Sequence, residues 1–313
     1  MIKYRVKGFT MFAALALFIQ TIQARAADEF TLDTALLAAA KDDPKAQFYL
    51  GRLYAKGDGV PQDYSKAIEY FRQSAAQGYA KAQNNLGAFY AQGLGVPQDY
   101  AESVKWFRKA ADQGDPLAEC SLGLSYSQGR GVSTNMVEAV KWYQPAAAQN
   151  QLDAQLALGD IYLGGRGIKP DYQEARKWYQ KAADQNSPAA DNNLGFIYET
   201  GGIGLDQDLQ QSLKYYRRAA EASYGKALMN LGRLYLNGIG VQKDCVEAYK
   251  WFYLANRNGG GMARHYVDEL EGTVQYGDLT SPPLNPEQIK EAIRRAREFQ
   301  TGLADRQING QLK

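Results

Sequence analysis

The chain has 313 residues, 45% of them hydrophobic and 12% aromatic, with 22% charged side chains spread along its length. That composition supports a packed core and excludes an intrinsically disordered chain. With 36 basic against 34 acidic residues the formal charge is only +2, which gives no basic surplus of the kind that nucleic-acid binding uses.

The first 26 residues differ from the rest. Lys3, Arg5 and Lys7 precede an apolar run from Met11 to Ile19, and Ala24-Arg25-Ala26 places small residues where a signal peptidase inspects them. This pattern predicts a signal peptide over residues 1–26, cleaved after Ala26. The apolar run is shorter than the roughly 20 residues a membrane-spanning helix needs, and no cysteine follows the cleavage point to receive a lipid. The expected product is an exported protein, periplasmic or secreted, that is not embedded in the membrane once the signal is removed. Taking Lys3, Arg5, Lys7 and Arg25 from the 36 bases leaves 32 against 34 acids, a net charge near −2.

A short helix over Thr31 to Lys41 follows, expected as an N-terminal cap within residues 27–45. Beyond it the chain repeats. The Leu-Gly step recurs at Gly51, Gly87, Gly123, Gly159, Gly195 and Gly232, every 36 residues apart from one extra residue before Gly232. A fixed period of this length marks stacked helical hairpins. It replaces the two globular domains that the length would suggest with one elongated repeat array. Six repeats are expected, at 46–81, 82–117, 118–153, 154–189, 190–226 and 227–262.

Within each repeat the first helix carries small and large apolar residues at helical spacing, as Ala82, Leu86, Gly87 and Tyr90 do in the second copy. Asp43-Pro44, Asp115-Pro116 and Ser187-Pro188 read as N-caps followed by proline in the first turn. A mid-helix glycine costs about 1 kcal/mol relative to alanine, so its recurrence implies a close helix contact there. The glycines of the next segment, from Gly57-Asp58-Gly59 to Gly238-Ile239-Gly240, are turn residues with positive φ; no strand precedes them, which argues against a phosphate-cradling loop. The extra residue of the fifth copy falls in this loop, near Gly201.

Asp63, Asp99, Asn135, Asp171, Asp208 and Asp244 stand at the N-cap of the second helix. Glu or Gln three residues on in five copies predicts capping boxes. An aromatic pair then recurs, Tyr70-Phe71, Trp106-Phe107, Trp142-Tyr143, Trp178-Tyr179, Tyr215-Tyr216 and Trp251-Phe252. Adjacent helical residues point about 100° apart, so one ring should face the partner helix and the other the next repeat. The second helices end at Gly78, Gly114, Asn150, Asn186, Ser223 and Gly259, where a left-handed residue is expected; Ser223 is unlike the rest. Pro145 should disturb the second helix of the third copy. Residues 263–313 are read as a partial repeat, a polar loop, an N-capped helix from Asn285-Pro286 that covers the last apolar surface with Ile289, Ala292, Ile293, Ala296 and Phe299, and a polar tail.

The combined pattern, A-x-x-x-L-G-x-x-Y, G-x-G-V and D-Y-x-x-A-x-x-W-F-x-x-A-A-x-x-G, resembles the Sel1-like repeat, a relative of the tetratricopeptide repeat, from Ala46 to about Met262. The resemblance implies an all-α fold, a right-handed superhelical solenoid of antiparallel helix pairs, whose concave face binds protein or peptide. Transferring the ligand-facing tetratricopeptide positions that flank the Leu-Gly step gives Phe48, Arg52, Asn84, Ala88, Cys120, Leu124, Leu156, Asp160, Asn192, Phe196, Met229 and Arg233 as partner-binding candidates. Their mix of amide, charged and apolar groups suits capture of a polypeptide.

The function expected is that of a non-enzymatic interaction scaffold or regulator in the bacterial envelope. Its partner would be a protein or peptide, such as the periplasmic domain of a membrane protein or an envelope assembly component. One alternative is a secreted factor that engages host protein. Another is an enzyme acting on cell wall or β-lactams, as in a cysteine-rich branch of the family; that branch carries a cysteine pair per repeat, whereas this chain has only Cys120 and Cys245. Those two lie three repeats apart, too far to pair as a disulfide, and are expected as buried or half-buried thiols. The one histidine, His265, sits by the terminal cap, and no Ser-x-x-Lys motif precedes a Ser/His partner set. No catalytic residue, metal site or cofactor is therefore expected.

Overall fold

The computed structural model describes residues 30–308 apart from 166, 203, 260 and 274–281. The predicted leader over residues 1–26 lies outside the described residues, as do Ser281 and the polar tail beyond 308. Among the described residues the chain forms fifteen helices, and the one β-contact is an isolated bridge between Gly202 and Leu205. We number the helices α1 (Leu32–Ala39), α2 (Pro44–Lys56), α3 (Tyr64–Ala76), α4 (Ala80–Gln92), α5 (Tyr100–Ala111), α6 (Pro116–Gln128), α7 (Met136–Ala148), α8 (Leu152–Gly164), α9 (Tyr172–Asp184), α10 (Pro188–Thr200), α11 (Leu209–Glu221), α12 (Gly225–Asn237), α13 (Cys245–Arg257), α14 (Gly261–Leu270) and α15 (Pro286–Ile308). Contacts divide the chain into two compact units, 1–98 and 99–313.

In the first unit α1 covers the α2–α3 hairpin. Thr31 caps α1 in a box closed by Thr34, and Ala35 is wholly buried against Leu50 and Leu53. Asp43 caps α2, with Pro44 in the first turn as predicted. In the second unit the hairpins α6–α7, α8–α9, α10–α11 and α12–α13 pack in sequence, and α14 and α15 close the end. Ala292, Ile289 and Ile293 of α15 join one apolar cluster and Ala296 and Phe299 the next, so the terminal helix is the expected lid. It is capped by Asn285 and Gln288, each side chain accepting from the other's backbone N–H at 2.9 Å.

The Leu-Gly step is where the two helices of a hairpin lock. A Cβ built on Gly51 would lie 2.6 Å from the Phe71 ring, on Gly123 2.6 Å from Tyr143, on Gly159 2.4 Å from Tyr179, on Gly195 2.7 Å from Tyr216 and on Gly232 2.6 Å from Phe252. The close contact is thus made by a ring, and at these five glycines it is the second ring of the aromatic pair. Each of these rings is at most 3% exposed, a burial worth about 1.5–3 kcal/mol per side chain. At Trp178 and Trp251 the first ring of the pair turns to the preceding repeat, not the following one. Trp178 packs with Tyr143, Ala146 and Ala147 of α7, and Trp251 with Ala219 and Ala220 of α11. The direction is set by bulk: α7 and α11 end in the small residues Ala146-Ala147 and Ala219-Ala220, which leave the hollows that the next repeat's indole fills.

The N-caps stand where predicted; Asp63, Asp99, Asn135, Asp171, Asp208 and Asp244 each accept from the backbone three residues on. The reciprocal half of the capping box does not form where it was expected in the copies with glutamate at the third position. Glu102, Glu138, Glu174 and Glu247 pair instead with Lys105, Lys141, Lys177 and Lys250. The donor they would have reached is already used: the N–H groups of Asn135, Asp171 and Asp244 donate to the carbonyls of Tyr126, Tyr162 and Tyr235 across the hairpin, at 2.9 to 3.0 Å.

Pro145 does not end its helix. α7 runs through it to Ala148, and the proline falls in the last turn, where the freed Lys141 carbonyl belongs to an exposed residue. The inter-helix loops have their glycines in the left-handed region; a Cβ on Gly131 would also strike the Tyr100 carbonyl oxygen at 2.1 Å. In the longer fifth copy Gly201 and Gly204 take the positive φ values, and Gly202 forms the small bridge with Leu205. Ser223 adopts φ 57° like the glycines and asparagines at equivalent ends.

Three stability outcomes follow. Gly159→Ala should lower the melting temperature by the equivalent of about 1–3 kcal/mol through overpacking, although alanine is the better helix former. Gly225→Ala, where a Cβ meets nothing within 4 Å, should raise it. Ser223→Gly should stabilise by about 1 kcal/mol, since it relieves a side chain from the left-handed region; urea titration of the three variants checks all the signs.

Candidate partner-binding face

The candidate residues lie on the first helices in two rows, one before the Leu-Gly step and one after it. Four residues on a helix turn through about 400°, so the rows are offset by about 40°. The row before the step packs inward. Phe48 is half-buried, with ring centroids 5.9 Å from Phe71 and 5.3 Å from Tyr79. Asn84 and Asn192 are buried, while Cys120, Leu156 and Met229 are half-buried against neighbouring clusters. The row after the step opens outward. Leu124 is 37% exposed, Phe196 is 42% exposed and Asp160 is exposed, whereas Arg52, Ala88 and Arg233 are half-buried. The Arg52 guanidinium lies 5.9 Å over the Phe48 ring.

In the second unit hydrogen bonds link these rows from one first helix to the next. Asn193 of α10 donates to Asp160 of α8 at 3.4 Å, Asn230 of α12 donates to Asn192 at 3.0 Å, and Arg233 grips both oxygens of Glu199 at 2.6 Å. Buried tyrosines hold the acids from beneath: Tyr179 donates its hydroxyl to Asp160 at 2.5 Å, and Tyr216 donates to Glu199 at 2.9 Å. The carboxylates and burial push both phenols upward, so they remain donors at neutral pH. Asp160, Asn192 and Arg233 are therefore brought into one continuous layer. Asn193, Glu199 and Asn230, which complete it, were not among the predicted residues. The signal that points to Glu199 is tyrosine in place of phenylalanine at the second ring position, Tyr216, since a buried hydroxyl needs an acceptor.

Catalytic chemistry finds little to work with on this layer. Burial, with Asp153 nearby, pushes the Cys120 thiol up to about 12, the opposite of what a nucleophile needs. Both cysteines are free thiols. His265 lies 3.7 Å from Glu269 on its own helix, with its ring edge-on to Tyr266. Among the described residues no group of three His, Cys, Asp or Glu side chains could hold a metal ion, and no helix is long and apolar enough to cross a membrane.

The Sel1 repeat matches at 44–79, 80–115, 116–151, 152–187, 188–224 and 225–260. The chain belongs to the Sel1 repeat family. Two solved structures are similar to it. One is a protective antigen present in uropathogenic Escherichia coli strains and displaying an SLR fold, 33% identical, with a TM-score of 0.73 over 89% of this chain and 59% of that one. The other is a Sel1 repeat protein from Oxalobacter formigenes, also 33% identical, with a TM-score of 0.66 over 80% of this chain and 96% of that one. The chain thus spans about three fifths of the length of the E. coli antigen. No curated protein matches it significantly. Sel1 repeat proteins are generally non-enzymatic scaffolds for protein interaction, and the all-helical class expected from the repeat is the one observed.

A buried polar row on the same helices is structural. Gln77 donates to Gln47 and Gln185 to Gln155, both at 2.8 Å, which ties each second helix to the first helix of its own hairpin. In the third Sel1 repeat the acceptor is Glu119, reached by Gln149 at 3.2 Å. Burial raises the Glu119 carboxyl above its ordinary 4.5, with Asp115 adding to the effect. A raised acid binds its proton more tightly in the folded chain, so its charged form costs stability at neutral pH, and that cost fades as pH falls. Glu119→Gln, which restores the pairing of the other repeats, should stabilise by about 1 kcal/mol at neutral pH. The gain should shrink as pH falls through the raised carboxyl value towards 4.5, as read by thermal melts across that range.

Proposed function

We propose that this Sel1 repeat protein is an interaction scaffold or regulator of the bacterial envelope, and that it takes a protein or peptide partner on the first-helix face of its second unit. One observation carries the reading. Leu124 and Phe196 are large apolar side chains left exposed on the same row as Asp160 and Arg233, over a layer already fixed by cross-repeat hydrogen bonds. A preorganised face that offers both apolar and polar groups suits recognition of a polypeptide, because little ordering remains to be done on binding. The family supports the scaffold role. The envelope address rests on the leader pattern of residues 1–26.

A second address is favoured by the likeness to the protective antigen of uropathogenic strains: secretion, with a host protein as partner. One experiment serves both. With a photo-crosslinking residue at position 124 or 196 in living cells, irradiation should give a discrete protein adduct from each position, recovered in the periplasmic fraction. Adducts recovered from the medium and made with host protein would select the second address. Adducts from a second-helix position such as Lys141, with none from 124 or 196, would sink the face assignment.

A further inference from the structure

We infer that the partner recognised by α6, α8 and α10 is a cationic polypeptide segment bearing apolar side chains. This rests on the face reading of the preceding section and adds to it the chemistry of what docks. Across these three consecutive first helices the charged residues are Glu119, Asp153, Asp160, Asp191 and Glu199, and there is no Lys, Arg or His among them. The second helices α5, α7, α9 and α11 have the opposite bias, with ten bases, Lys105, Arg108, Lys109, Lys141, Arg176, Lys177, Lys181, Lys214, Arg217 and Arg218, against five acids. From α5 to α11 the first helices are thus acidic and the second helices basic, whereas the next first helix, α12, carries Lys226 and Arg233.

Not all five acids are available to a partner. Glu119 is inside the buried polar row, Asp191 is held by Arg218, whose Nε donates to it at 2.6 Å, and Glu199 is gripped by Arg233. Asp153 and Asp160, both on α8, lie at the surface, half-buried and exposed respectively, and Asp160 there also accepts from the neutral donors Tyr179 and Asn193. Leu124 of α6 and Phe196 of α10 stand on either side of Asp160 in the same row, one repeat away in each direction. At helix separations of about 8–10 Å, an extended segment laid across the three helices meets an apolar group, a carboxylate and a second apolar group in succession.

Lysine or arginine fits the middle position. The methylene stem covers leucine or phenylalanine while the charged head reaches the carboxylate, and the Phe196 face adds a cation–π contact. Burial raises the Asp153 carboxyl, and an approaching cation relieves that cost. The same acids repel phosphate backbones and anionic lipid headgroups, which excludes nucleic acid and anionic membrane as occupants of this face.

The test uses the full chain and three short fluorescent peptides, built of repeated Lys-Leu-Ser, Glu-Leu-Ser and Lys-Ser-Ser triplets, read by fluorescence anisotropy. The Lys-Leu-Ser peptide should bind most tightly, and its affinity should fall as salt is raised. Asp153→Asn with Asp160→Asn keeps the amide oxygen that Tyr179 needs and should weaken binding about tenfold; Leu124→Ser with Phe196→Ser should weaken it by about the same factor. Glu-Leu-Ser binding as tightly as Lys-Leu-Ser, or the Asp-to-Asn pair leaving affinity unchanged, would overturn the inference. If in either case binding is still lost in the Leu124→Ser with Phe196→Ser variant, the inference falls but the face itself stands. Binding by none of the three also overturns the inference, while the crosslinking at 124 and 196 judges the face independently.

Discussion

Everything in this molecule is positioned by an aromatic ring pressed onto a glycine. In each described case the second ring of the aromatic pair lies where the Cβ of the Leu-Gly glycine would otherwise be. A mid-helix glycine sacrifices about 1 kcal/mol of helix propensity, but the ring it admits is buried almost completely and fixes the two helices at one depth and one rotation. Because the ring lies against bare backbone, neither helix can slide without losing the contact.

That lock decides the remaining contacts. With the second ring fixed, its neighbour one position earlier is turned through about 100° and meets the Ala-Ala step of the preceding repeat, as Trp178 and Trp251 do. The N-cap aspartates serve the hairpin as well as the helix, since their backbone N–H groups close onto the first-helix tyrosine carbonyls. The glutamates three residues on are thereby released from capping and pair with lysine on the helix surface. Exposed pairs of this kind contribute little to stability, so the repeat is held by burial and backbone closure.

The same economy produces the candidate face. Apolar periodic positions satisfy the core, which leaves the residues flanking the Leu-Gly step to vary from copy to copy. In the second unit they vary towards acid and exposed apolar groups on three consecutive helices. Two of the acids are seated on buried tyrosine hydroxyls that emerge from the ring-on-glycine contact itself, so the core interaction reaches the surface through Tyr179 and Tyr216. Sel1 repeat proteins are generally scaffolds for protein interaction, which supports the binding role proposed for this surface.

The amino-acid order alone determined the period, the all-helical class, the caps at Asp63 through Asp244, the left-handed glycine and asparagine ends, and the terminal lid, because each depends on residues close together in the chain; that Ser223 joins those ends was seen only in the structure. Both rows of candidate residues were also legible, since equivalent positions recur every 36 residues. Only the tertiary structure decided which row opens to solvent, which repeat each tryptophan meets, and that Asn193, Glu199 and Asn230 join Asp160, Asn192 and Arg233 in one layer. It also decided against the capping boxes at Glu102, Glu138, Glu174 and Glu247. These outcomes turn on groups roughly a full repeat apart competing for the same donor or the same hollow, and no local spacing in the chain records which competitor wins.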